Sequence, residues 1–226
     1  MNQDVKLPKK RSTQAKTPRR TQAERREETK RRILDAASHL LRTKGYAGFR
    51  ISEVASLAQV SRGAQTHHFP TKDSLLLAAL EEMYTETRKQ SLDKIAALKP
   101  EDDIIAAMQE DCMRFFLGPH FSMALSLINT GESNVELDHE LRRISLVNRR
   151  VIDRAWIGLL VKWGAPLEQA EVILSATYCL YRGLAVRELI HSDAEHIQKV
   201  SDFWRSLLTE KLQHSLPELL STPSCQ

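Results

Sequence analysis

Apolar residues recur through most of the chain at three- and four-residue spacing, the period of a helix that buries one face. Ile33, Ala37, Leu40 and Leu41 set the first stripe, which begins near Glu24 and closes at Gly45. Leu75, Leu76, Ala79, Leu80 and Met83 set another, opened by Thr71-Lys72-Asp73-Ser74. Pro100-Glu101-Asp102-Asp103 reads as a helix start, with proline at a first-turn position and acids near the positive end of the dipole. Ile104, Met108, Cys112 and Phe115 follow in register, and Gly118-Pro119 stops them. A short helix through Met123 and Leu127 is expected to end near Gly131. A long one spans Val135 to Trp163, with Leu137, Leu141, Ile144, Val151, Ala155 and Leu159 on its buried side. Gly164-Ala165-Pro166 breaks that helix, and two more cover Leu167–Ile190 and Asp193–Leu216. No alternating run reads as a strand, so the expectation is all-α with about nine helices.

Between the first two stripes the pattern changes character. Residues Arg50 to Lys72, RISEVASLAQVSRGAQTHHFPTK, read as a short helix, a tight turn and a second short helix closed by Phe-Pro. Val54, Ala55 and Ala58 share one face of the first. Ser61 is placed to cap the second by accepting a backbone N–H. That second helix, about Arg62–His68, carries almost no bulky apolar residue, so its polar face is free to meet something else. This is a helix-turn-helix, and its side chains suit a DNA major groove. Gln65 is expected to pair with adenine, while small Gly63 and Ala64 let the backbone approach closely. Arg50, Arg62, Thr66, His68 and Lys72 are the phosphate candidates, with Ser61 and His67 beside them. The adjacent histidines point about 100° apart on a helix and so suit DNA better than one shared metal ion.

The order Gly45-Tyr46, Val54-Ala55, Val60-Ser61-Arg62-Gly63 and His68-Phe69-Pro70-Thr71-Lys72 resembles the N-terminal domain of the tetracycline-repressor (TetR) family. The match runs from about Arg26 to Leu80, and Phe-Pro-x-Lys is its most specific piece. The resemblance implies an all-helical effector and dimer domain after it, and it gives the Phe-Pro-x-Lys lysine, Lys72, a phosphate contact. Three positions depart from the family pattern. Arg50 stands where a capping Thr is usual, which costs on the order of 1 kcal/mol. Gln59 stands where the inter-helix turn usually holds Gly, and a left-handed conformation there would cost roughly 1–2 kcal/mol. Gln65-Thr66 replaces a usual Leu-Tyr.

Composition sharpens this picture through charge. Residues 1–72 hold 17 Lys/Arg against 6 Asp/Glu, and residues 73–226 hold 16 against 23. A basic first third joined to an acidic remainder fits a DNA reader carrying a second, non-DNA domain. The expected division is a basic disordered tail over 1–23, a helix-turn-helix domain over 24–75, and a ligand-binding and dimerisation domain over 76–220. The tail's Lys6, Lys9, Lys10, Arg11, Lys16, Arg19 and Arg20 serve either as an arm along the phosphates or as a solubilising segment.

Cys112, Cys179 and Cys225 are far apart and form no CxxC pair, which fits a reducing cytoplasm. The longest uncharged run, Phe115–Gly131, is too short and too broken to span a bilayer. No catalytic spacing, phosphate loop or nucleophile elbow stands out, so neither an enzyme nor a cofactor is expected. His191 and His196 flank a helix break and read as solvated caps rather than a metal pair.

The penultimate helix is apolar over much of its circumference, and such a helix needs a second partner. The family forms its dimer from the last two helices, which points to Tyr181, Leu184, Trp204, Leu207 and Leu208. An effector pocket follows from the resemblance alone, with Met108, Cys112, Phe116, Met123, Leu127, Trp156 and Tyr178 as its candidate lining. The leading expectation is a homodimeric repressor that leaves a palindromic DNA operator when a small-molecule effector binds. The alternatives are an activator or ligand-independent regulator of the same fold, and a helical ligand-binding protein without specific DNA recognition.

Overall fold

A computed structural model describes residues 21–128 and 135–215. Most of the tail, Gly131, Leu216 and Cys225 lie outside the described residues. Among the described residues nine helices and no strand are found. They are α1 (Gln22–Gly48), α2 (Ile51–Leu57), α3 (Arg62–His68), α4 (Lys72–Ala97), α5 (Ile104–Phe116), α6 (Pro119–Ile128), α7 (Val135–Lys162), α8 (Leu167–Glu188) and α9 (Ala194–Ser215).

Local chemistry sets most of the boundaries. Thr21 and Glu24 form a capping box at the start of α1. Gly45 takes φ 62°, ψ −175°, a region essentially reserved for glycine, and this kinks the helix where its stripe ends. Thr71 and Ser74 exchange backbone and side-chain hydrogen bonds at 3.2 and 3.0 Å and open α4. The helix start expected at Pro100 lies a few residues further on. Asp103 accepts from the Ala106 N–H at 2.8 Å and caps α5, while Asp102 accepts from the Lys99 N–H in the preceding turn. Asp193 caps α9 through the His196 N–H at 3.0 Å.

One continuous apolar core runs from Ile33 on α1 to Leu212 on α9. Helix α1 packs on α2, α3, α4 and α6, while α4 lies along α7. The buried stripe of α7 departs from the expected one after Ile144. It continues through Asn148, Ile152, Trp156 and Leu160, whereas Val151 is exposed and Ala155 and Leu159 are only half-buried. A polar residue on the inward register hid this shift. Asn148 is buried because its amide donates to the Ile144 carbonyl at 2.9 Å and its oxygen accepts from Arg88 at 2.9 Å.

A second buried polar group ties three helices together. Asp111 on α5 accepts from Ser91 on α4 at 2.8 Å, from Trp156 on α7 at 2.8 Å, and from Arg114 one turn along. Tyr181 on α8 bonds Ser201 on α9 at 3.0 Å, and Trp204 on α9 donates to Thr177 on α8 at 3.0 Å.

Candidate nucleic-acid interface

Helices α2 and α3 are only seven residues each, too short to persist alone, so their placement depends on capping and tertiary bonds. The Ser61 hydroxyl accepts from the Ala64 N–H at 3.1 Å, as its position before α3 implied. Arg50 precedes α2 without a side-chain cap, and its guanidinium instead donates to the Ala47 carbonyl at 2.7 Å. In the turn Gln59 takes φ 54°, the left-handed conformation that a glycine would adopt freely. Arg32 on α1 donates to the carbonyls of Ala58 and Gln59, the latter at 2.9 Å, and so clamps the strained turn to the longer helix.

The orientation of α3 corrects one residue of the expected contact set. Gln65 is 1 % exposed and faces inward, so it does not present its amide to a groove. Gln65 and Phe69 are one turn apart and both face the core. The family resemblance carried the signal, since a leucine is usual at the position of Gln65. The outward face instead offers Arg62, Gly63, Thr66 and His67, with Ser61 exposed at its start and Ala64 half-buried. A Cβ at Gly63 would meet only the Ser61 hydroxyl, at 3.9 Å, so the fold itself does not demand glycine there.

Two flanking cations are partly withdrawn. The Lys72 ammonium stands 4.0 Å from the centroid of the Tyr46 ring, a cation–π arrangement. Burial there, and then the nearby Arg50, hold it below its ordinary pKa. His68 is half-buried, and its pKa is lowered first by that burial and then by the charges of His67 and Arg26. Arg26 and Lys30 of α1 did not stand out as candidates in the sequence, yet both are exposed and close enough to act on His68. They extend the basic surface beyond α3.

The bundle sorts the remaining candidates. Met108, Met123, Leu127 and Trp156 are fully buried in the core, and Trp156 is held there by Asp111. Cys112, Phe116 and Tyr178 lie together near Arg149. Burial pushes the Cys112 thiol up to about 12, so it stays protonated. Of the five expected dimer residues, Tyr181, Leu184 and Leu208 are buried within the one chain, and Trp204 is half-buried with its N–H satisfied. Only Leu207 is exposed. Both faces of α8 are apolar, so residue type alone does not distinguish its inward face from its outward one. The outward positions are Val172, at 62 % exposure, Cys179 and Val186, with Phe203, at 67 %, and Leu207 on α9.

Residues 33–79 match the profile of bacterial regulatory proteins of the tetR family. The chain is 44 % identical over 193 residues to the HTH-type transcriptional regulator CymR of Pseudomonas putida, covering 85 % of this chain and 95 % of that one. Among solved structures it is similar to a regulator from Saccharomonospora viridis in complex with choline. That likeness has TM-score 0.63 at 20 % identity, over 83 % of this chain and 97 % of the other. The multidrug binding protein EbrR, complexed with malachite green, matches with TM-score 0.53 at 20 % identity, over 80 % and 96 % of the two chains. The chain belongs to the TetR family of helix-turn-helix transcriptional regulators. Its relatives are named as regulators and not as enzymes. Among the described residues no helix is long and apolar enough to cross a membrane.

Proposed function

We propose that the chain is a cytoplasmic homodimeric repressor, released from a palindromic operator by a small-molecule effector. The observation that carries the DNA part is the outward face of α3, where Arg62, Thr66 and His67 project from a short, capped and clamped helix. Thr66 and His67 read base edges, and Arg50, Arg62 and Lys72 hold phosphates. A lone helix-turn-helix covers one half-site, so a symmetric operator needs two copies. Outward Val172, Val186, Phe203 and Leu207 supply an apolar surface on α8 and α9 for that pairing. The division of labour falls near Leu75, with DNA contacts before it and effector and dimer contacts after it.

Release is a population shift. The effector favours a conformation in which the two α3 helices no longer fit successive major grooves, and a 99:1 reversal needs roughly 10⁴-fold preference. Helix α4, packed on α1 at one end and along α7 over much of its length, is the lever, with α6 against α1 as a second link.

The test is duplex binding by the full chain across a salt series. Lys72→Ala should weaken all sequences alike and lower the salt slope by about one unit. His67→Ala should relax preference at one base position by about 1–3 kcal/mol. Wild-type affinity, preference and salt slope in both variants would defeat the assignment. Phe203→Glu should yield monomers by sedimentation, and a wild type that is monomeric at micromolar concentration would defeat the pairing.

A further inference from the structure

Helix α1 packs on α2 and α3, and its direction fixes where the chain before it departs. Arg32 holds the turn carbonyls of Ala58 and Gln59. Toward the N-terminus, Arg26, Glu27 and Lys30 come within electrostatic reach of His68, the last residue of α3. Gln22 begins the helix one turn before Arg26, roughly 6 Å along the axis. Thr21 caps that end with extended backbone, φ −65° and ψ 163°. Residues 1–20 therefore leave the fold beside α3, the helix that presents Arg62, Thr66 and His67.

That segment is strongly basic. It holds seven Lys/Arg against Asp4 alone, and exposed Arg25 and Arg26 continue the run into α1. Proline disfavours the α region for the residue before it, so Thr17-Pro18 stops α1 from running back into the segment. A tail that only solubilises can hang from any surface, whereas this one hangs beside the recognition helix. Duplex DNA carries one charge per about 1.7 Å of its axis, so cations tethered there meet a dense line of phosphates.

We infer that residues 1–20 are a DNA arm, in which Arg19 and Arg20 enter the minor groove flanking the major groove that α3 occupies, while Lys9, Lys10 and Arg11 follow the phosphates beyond. The inference rests on the regulator reading above and adds a second reading element to it. The minor groove narrows over A·T runs, which strengthens its negative potential and draws in arginine. A guanidinium is more weakly hydrated than an ammonium, so the arginines next to α1 enter the groove and the lysines stay outside it. From Thr21 back to Arg11 the chain reaches at most roughly 35 Å, about one turn of duplex. Each half-site is thereby lengthened by an A·T-rich flank that α3 does not touch. The rival berth for the arm is a cleft of about 520 Å³ between α1 and α4, lined by Glu27, Glu28 and Glu82. Lys30 and Arg31 line the same cleft and repel a basic segment, so the duplex is the better partner.

The test uses the full chain and the symmetric site that it selects from a random duplex library. That site is flanked on both sides by A·T, by G·C or by inosine·C pairs, and binding is measured across a salt series. Inosine lacks the guanine amino group in the minor groove and keeps the guanine acceptors in the major groove. A·T and inosine·C flanks should bind about fivefold or more tightly than G·C flanks. Arg19→Ala with Arg20→Ala should remove that preference and lower the salt slope by about two units for each arm. Lys9→Gln, Lys10→Gln and Arg11→Gln together should lower the slope and leave the flank preference in place. Equal binding to all three flanks with an unchanged slope in the arginine variant would overturn the inference in favour of a solubilising tail. An A·T preference that inosine does not restore would place the reading outside the minor groove and overturn it as well. Tighter binding by the arginine variant would show the arm held on its own acidic cleft, again against the inference. A wild type that binds no duplex would defeat the regulator reading and the arm together, so the two failures are distinguishable.

Discussion

The DNA-reading end and the bundle treat polar side chains in opposite ways. Around α3 the polar groups other than Gln65 point outward, and the backbone that presents them is fixed by Ser61, by the Thr71–Ser74 box and by the Arg32 clamp. In the bundle several polar groups point inward, and two of their clusters differ in completeness. Asp111 has a partner for both oxygens, whereas Arg149, Asp153 and Tyr178 each keep an unpaired atom. A reader needs one rigid shape, and a sensor needs a place where binding energy can be gained. The contrast separates a polar cluster completed within the fold from one that is not.

Breaking the complete cluster should have the largest effect. Asp111→Ala leaves the Trp156 N–H and the Ser91 hydroxyl buried without their acceptor, and should cost about 3–5 kcal/mol in denaturant unfolding. A cost under 1 kcal/mol would show that the cluster does not hold the fold. Next comes Arg32→Ala, which frees the turn carbonyls and should cost about 2 kcal/mol along with a loss of duplex affinity. Replacing the Arg149–Asp153 ion pair as a whole, Arg149→Met with Asp153→Leu, is expected to change stability by less than about 1 kcal/mol, because a buried ion pair is readily replaced by apolar chains. A loss as large as that at Asp111 would erase the distinction between the clusters.

The pH dependence sharpens the same contrast. Burial raises the Asp153 pKa above its ordinary 3.8. The neutral carboxyl is therefore favoured in the fold, and this contribution is complete below the ordinary value and lost as pH rises through the raised one. Asp153→Asn should remove that loss from a stability–pH profile, and an unchanged profile would contradict it. The smallest effect is at the turn. Gln59→Gly relieves roughly 1–2 kcal/mol of left-handed strain but adds chain entropy to the unfolded state, for a net gain of about 0.5 kcal/mol in thermal unfolding.

Periodicity was a good guide wherever polar and apolar residues kept to separate faces. The caps at Ser61 and Thr71, the stripe of α4 and the strained Gln59 were all legible, because each depends on a few neighbours in sequence. Three positions misled for one shared reason. Gln65 and Asn148 are polar residues on inward registers, and Tyr181 stands on a helix that is apolar on both sides. In each case residue type alone does not say which face is buried, and only packing against a distant helix decides it. The Arg149 cluster was invisible for a related reason, since it joins residues of α5, α7 and α8 that are far apart along the chain.

The most direct test of the central claim is selection of binding sites from a random duplex library by the full chain, alongside Thr66→Ala, His67→Ala and Gln65→Ala. The account predicts a two-fold symmetric site with half-site centres about 10–10.5 base pairs, or a multiple of that, apart. Preference should be relaxed at symmetric positions by the Thr66 and His67 variants, and the Gln65 variant should select the wild-type sequence. Enrichment of no symmetric site, or a change of preference with Gln65→Ala alone, would contradict the orientation of α3 described above.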